Sequence, residues 1–273
     1  QGRCAGCKMT HTSDTPASNP ESPAHTAAPK ASFEPLESGR RFQFDCHPGI
    51  SCFTACCAKL RLILTPYDIL RLKRRLGMPS GKFLEVHTET FFDTGARFPM
   101  VRLRMQDTEG GRCPFVSAVG CTLYEDRPSA CRLYPVGRAS AFTEAQPAAQ
   151  ERFFLVKEPH CQGFVEAREW TLQEWLSHEG LDDYSWMNDA WSRIVTAAKP
   201  FVVKAATERN IQMFFMASYD LDRFRSFVFG SSFLRHFDVD TELQEELRTR
   251  DEELLQFAFR WLRFSLFGEQ TMN

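Results

Sequence analysis

Apolar residues recur along this chain with two different periods, and the changes between them mark out its elements. Leu64-Thr65-Pro66-Tyr67-Asp68-Ile69-Leu70-Arg71-Leu72 opens a helical stretch. Thr65 suits the cap, Pro66 the first helical position and Asp68 the positive helix end, while Ile69, Leu70, Leu72 and Leu76 make an apolar side that Gly77 ends. Pro79-Ser80-Gly81-Lys82-Phe83-Leu84 reads as a turn entering a second short helix. The period then falls to two. Residues 100–105 alternate apolar and basic side chains and residues 151–156 are apolar and β-prone, so each is a predicted strand, placed to pair on either side of the segment between them.

From residue 171 the helical period returns, with predicted helices over 171–177, 182–198 (stopped by Pro200), 208–216, 220–229 and 241–267. The last carries Leu243, Leu247, Leu254, Trp261 and Phe264 on one side, yet Phe257, Phe259, Leu262, Leu266 and Phe267 spread the apolar surface around it. A helix apolar on all sides is expected to be interior. Residues 10–38, by contrast, are mostly Thr, Ser, Pro, Ala, Asn and Glu and cannot bury enough surface to offset the entropy of ordering. The expected organisation is a flexible tail over 1–40, an irregular cysteine-rich domain over 41–165 and a helical region over 166–273. The fold class is α+β, with short helices and a few strands followed by a mainly α-helical part.

Composition narrows the function classes. At 273 residues and 43% apolar content the chain can bury a sizeable core, and its 25 phenylalanines predict one rich in aromatic packing. A net charge of −2, from 33 basic and 35 acidic residues, makes no electrostatic case for nucleic acid. No apolar run approaches the roughly 18 residues a membrane span needs. Arg71, Lys73, Arg74 and Arg75 read as a solvated face of their helix. Serine-hydrolase, P-loop, dinucleotide and H-E-x-x-H motifs are all missing, so those assignments lack support.

The chemistry lies in the cysteines. Eight of ten form one spaced set: Cys46, Cys52, Cys56, Cys57, Cys113, Cys121, Cys131 and Cys161. The first four make a C-x5-C-x3-CC cluster in which Pro48 and Gly49 favour a tight, irregular backbone. Adjacent Cys56 and Cys57 are poorly placed to bridge each other. Pro128 and Pro135 bracket a two-turn helix that carries Cys131. Crowded thiolates repel, so such a set needs a cation, a cluster or oxidation. Disulfides would suit a small secreted fold, but this chain is too long to need staples and opens without a leader-like apolar run, so metal ligation in a cytoplasmic setting is expected. Zinc would use two sets of four; an iron–sulfur cluster would take four thiolates and leave four, and the residues leave that choice open. A C-x3-C-x2-C iron–sulfur motif starts at Cys52-x3-Cys56 but has Lys59 in its third place. Cys4 and Cys7 read as an incidental pair, and His47 and His160 stay outside the ligand set. Arg127 and Arg132 flank Cys131, where they could donate to thiolates or form ordinary surface ion pairs.

The cysteine cluster, residues 64–72, Cys113-Pro114-Phe115, Gly120-Cys121-Thr-Leu-Tyr124 and Arg127-Pro128 through Cys131-Arg132-Leu-Tyr134-Pro135 together resemble the YkgJ-type cysteine-cluster family, a zinc- or iron-chelating domain, from about residue 42 to 161. The resemblance implies that the eight cysteines ligate metal. A similar arrangement occurs in flagellin lysine N-methylases, which implies a second reading: an enzyme modifying a protein partner or protein substrate, with the helical half forming its cleft. An enzyme should place polar groups such as Asp45, Tyr124, Arg132 or Tyr134 in a pocket beside the cysteines, whereas a structural site should enclose itself in Phe and Leu.

Overall fold

The predicted helix over 65–77 forms as α1, Pro66–Arg75. Its start is a reciprocal cap: Thr65 Oγ1 accepts from the Asp68 amide (3.2 Å) and Asp68 Oδ2 accepts from the Thr65 amide (2.8 Å). Gly77, at φ +62°, turns the chain out of it. The computed structural model describes residues 31–108, 110–141, 150–202 and 207–272; Cys4, Cys7 and the tail up to residue 30 lie outside them. Helix α2, Ser80–His87, follows as expected.

Strand β5, Met100–Leu103, is the middle of a three-stranded antiparallel sheet, between β3, Ile63–Leu64, and β4, Thr88–Phe91. Its alternation has a plain purpose: Val101 and Leu103 are fully buried. The second predicted strand is β9, Gln150–Lys157, in a separate sheet between β1, Ser32–Pro35, and β8, Val136–Ala141. The expected β5–β9 pairing therefore does not occur. Each strand instead takes the antiparallel neighbour nearest in sequence, β4 or β8, which closes a shorter loop. Ser32–Pro35 also differ from the expected tail: the open edge of β9 offers them a ladder, and they take it from Ser32↔Lys157 to Pro35↔Phe154.

Two short ribbons complete the strands. One pairs β2, Arg41–Gln43, with β10, Glu169–Thr171; the other is the hairpin of β6, Val116–Ser117, and β7, Gly120–Cys121. Helix α3, Ser129–Leu133, carries Cys131 as predicted. Thr171 and Glu174 form a second capping box at α4, Leu172–His178. Trp170 and Trp175 pack with Leu36, Phe42, Phe44, Val136 and Leu155 in a small core of their own, so contacts cross the expected 165/166 boundary.

The larger core joins α1 and the β5 sheet to α5, Asp182–Val195, α6, Thr207–Tyr219, α7, Leu221–Gly230, α8, Phe233–His236, α9, Thr241–Thr249, and α10, Asp251–Phe267. The stretch 241–267 is thus two helices rather than the single one predicted. Arg250 is extended (φ −114°, ψ 112°), and α10 restarts with three acids at its positive end. The break places the Asp251 carboxylate against Lys73 (3.0 Å) and Arg225. That arrangement also corrects the expected solvated face of α1. Lys73 is 7% exposed and bonded to Asp222 and Asp251, Arg74 makes two bonds to Glu252, and Arg71 binds Asp126 at 2.6 Å. Helix α10 is interior as expected, with Leu254, Leu255, Phe257, Phe259, Trp261, Leu262 and Leu266 buried on several sides. Among the described residues no helix is long and apolar enough to cross a membrane.

Candidate metal centre

Residues 46–57 form a run of tight turns, with Ile50 N donating to His47 O, Phe53 N to Ile50 O, Ala55 N to Cys52 O and Cys57 N to Thr54 O. Such a backbone cannot place its side chains with helical or strand regularity. Thr54 and Lys59 both adopt positive φ, +64° and +54°. For a β-branched residue this conformation is strained; Arg112 Nη2 donates to Thr54 Oγ1 at 3.1 Å and helps to hold it. His47 is occupied locally, its Nδ1 accepting from the Gly49 amide, and His160 faces Glu158.

Backbone bonds tie this run to the later cysteines. Cys113 N donates to Cys57 O (2.8 Å), Lys59 N donates to Gly111 O, and Ala58 bridges Arg112. Cys121 lies opposite Val116 in the hairpin. On the other flank, Asp45 N donates to Gly163 O (3.1 Å) and Gln162 N to Cys52 Sγ (3.1 Å). Gly163 has no room for a side chain, since a Cβ there would stand 2.6 Å from the Phe44 ring.

Cys131 is set by a residue that the cysteine spacing does not reveal. Asp68 is fully buried, and its carboxylate accepts from the amides of Thr65 (2.8 Å) and Ser129 (2.7 Å) and from Ser129 Oγ. One carboxylate therefore caps both α1 and α3, using the positive end of each helix to offset its own burial. Burial nevertheless pushes its pKa up.

The cysteines meet beside a cavity of about 580 Å³, and Cys46, Cys56, Cys57, Cys113, Cys121 and Cys131 are on its wall. Phe53, Leu62, Leu72, Leu103, Phe115 and Leu123 supply apolar surface, and Tyr124, Arg127, Arg132, Tyr134, Glu158 and Glu179 supply polar groups. Asp45 is not among the lining residues. All eight cysteines are free thiols, Cys46 exposed and the others half-buried.

Burial pushes the thiols of Cys46 and Cys113 up to about 11, with neighbouring cysteines adding to the effect. Cys121 and Cys131 move the same way for the same reason. The adjacent pair divides: the hydrogen bond between them raises Cys56 and lowers Cys57, and Arg112 lowers Cys57 further. Without a cation the set thus holds most of its protons, and a metal would have to displace them.

Arg127 and Arg132 do not donate to these thiols. Arg127 donates to Tyr124 O (2.7 Å) and Glu179, while Arg132 donates to the backbone carbonyls of Arg127, Glu179 and Glu125. Neither is a surface pair, because Arg132 is 9% exposed and the Glu179 side chain 5%. Carbonyl and carboxylate oxygens are much better acceptors than a neutral thiol. The Tyr134 hydroxyl is buried beside Cys161, and burial pushes its pKa up.

Among the described residues no three His, Cys, Asp or Glu side chains are preassembled as a metal-holding group. The chemistry of the donors still fits a soft or borderline metal: the thiols outnumber every other ligand type at the cavity, with no carboxylate cage for a hard cation. When bound, such a metal supplies a positive charge that lets buried thiols ionise.

No curated protein and no solved structure matches the chain. The spacing C-x5-C-x3-CC is wider than the C-x2-C-x2-CC in the name of a matching family model, and Thr54, at positive φ, lies between Cys52 and Cys56. That model, CxxCxxCC, described as "Putative zinc- or iron-chelating domain", covers residues 45–162, less than half of the chain.

Proposed function

We propose that this chain holds zinc or an iron–sulfur cluster through Cys46, Cys52, Cys56, Cys57, Cys113, Cys121, Cys131 and Cys161. The observation that carries the reading is the gathering of six of the eight thiols on one cavity wall, with the amide of Gln162, next to Cys161, donating to the Cys52 sulfur. Crowded thiolates repel one another unless a cation joins them, so the metal would organise residues 46–57, where Ile50 alone is buried. On this reading residues 41–165 bear the metal and residues 166–273 form the helical support. Metal and acid-labile sulfide are measured on anaerobically purified protein, with a visible spectrum. Colourless protein with zinc points to a structural role, iron with sulfide to redox or modification chemistry, and protein without metal removes the proposal.

A second reading is a protein-modifying enzyme acting on a partner chain, in the manner of flagellin lysine N-methylases. It is supported by one feature: Tyr124, Arg132 and Tyr134 share the cavity wall with the thiols, where a purely structural site needs only apolar cover. Tyr134→Phe distinguishes the two, since it would leave metal content unchanged in both readings and lower turnover of a protein substrate only in the second.

A further inference from the structure

We propose that the eight cysteines are two sets of four, divided between the neighbours Cys56 and Cys57. Cys46, Cys52, Cys56 and Cys161 form one metal centre; Cys57, Cys113, Cys121 and Cys131 form the other. This rests on the metal-chelating reading above and adds the assignment of each ligand.

Two observations converge on the division. The first is the backbone, which joins the later cysteines to opposite ends of the 46–57 run. Cys113 is bonded to the Cys57 carbonyl, and the amide after Cys161 is bonded to the Cys52 sulfur, with Asp45–Gly163 beside it. The second is packing: Cys113, Cys121 and Cys131 lie against the large core, whereas Cys161 lies against the small one. Two sets of four then leave Cys46, beside the Asp45–Gly163 bond, and Cys56 to complete the set of Cys52 and Cys161.

Two tetrahedral all-thiolate sites use all eight sulfurs without leftover ligands. The division also gives the sites different surroundings. The Cys46 set clasps residues 46–56 to residues 161–163, and the Cys57 set faces the cavity with every sulfur.

The test is anaerobic reconstitution of the full chain with Co(II), whose thiolate charge-transfer absorption counts sites. Cys161→Ser and Cys131→Ser should each retain one of two cobalt ions, and the Cys131→Ser/Cys161→Ser double variant none. The same-set double variant Cys46→Ser/Cys161→Ser should retain one, like its single parent. Cys131→His, which keeps a ligand, should hold two ions and shift only part of the spectrum, so loss caused by misfolding is separable from loss of a ligand. If Cys131→Ser alone removes all cobalt while Cys131→His keeps it, the thiols share one centre and the division is wrong. If the unaltered chain takes up no cobalt, zinc or iron, the chelating reading itself fails.

Discussion

Helix α10 buries Leu254, Leu255, Phe257, Ala258, Phe259, Trp261, Leu262 and Leu266, whereas in the whole of residues 46–57 only Ile50 is buried. The helical part is thus held by apolar area, at roughly 1.5–3 kcal/mol for each large side chain removed from water. The cysteine run is held by turn hydrogen bonds, two positive-φ residues and contacts with segments far away in sequence. The two regions meet at α1. Its Ile69, Leu70 and Leu72 belong to the large core, and its Asp68 caps the helix that presents Cys131. The helical layer therefore positions Cys131 through Asp68.

The strongest way to break the contrast is to remove metal. If bound metal organises the cysteine region, stripping it from the purified protein costs that region on the order of 10 kcal/mol. Hydrogen exchange should then show residues 46–57, 111–131 and 158–163 losing protection while α5, α6 and α10 keep theirs; equal loss in both regions would end the distinction. Next in size is the converse change. Phe224 is fully buried, between Phe227 and Trp261, and Phe224→Ala should cost about 3–5 kcal/mol in urea unfolding without altering metal per folded chain.

Asp68→Ala acts on the joint between the regions. It removes caps from α1 and α3, at about 1 kcal/mol each, and should also weaken retention of a metal at the proposed Cys131 site; Asp68→Asn, which keeps an acceptor oxygen, should recover part of both. Ser129→Ala, which keeps the amide bond and loses only the hydroxyl, should do much less.

The acid limb of the stability curve probes the ion pairs around Asp251, away from the thiols. Burial by itself would raise Asp251, but hydrogen bonds from Arg225 and Lys73 outweigh it and hold the carboxyl below its ordinary 3.8. A depressed carboxyl stabilises the fold above its unfolded value, and that contribution is lost as pH falls through 3.8 and below. Asp251→Asn should therefore flatten the loss of stability in that window and leave the neutral-pH metal content unchanged, as followed by circular dichroism against pH. The smallest effect is expected at Trp186, which is 63% exposed on α5: Trp186→Gln should change stability by no more than about 0.5 kcal/mol.

Much of this molecule is legible in the residues themselves. Thr65-Pro66-x-Asp68 and Thr171-x-x-Glu174 announce their caps, and the alternation over 100–105 announces β5, because those interactions span four residues or fewer. The apolar surface all around 254–267 likewise announces an interior helix. The cysteines announce themselves as a candidate ligand set through chemistry alone. Other features were decided only by packing. Arg250 breaks a helix that local propensity would continue, because the restart sets Asp251 against Lys73 and Arg225. Arg127 and Arg132 turn from the thiols to better oxygen acceptors supplied by Glu125 and Glu179. The pairing of β9 with β1, and of Cys113 with the Cys57 carbonyl, uses backbone groups. Every residue carries those groups, so no side-chain pattern could name the partner. Periodicity, caps and thiol chemistry are local properties, so the residues alone show most of the helices, two of the strands and a candidate ligand set. Which sulfurs stand together was left to the tertiary structure, since it depends on hydrogen bonds between segments that only the folded chain brings into reach.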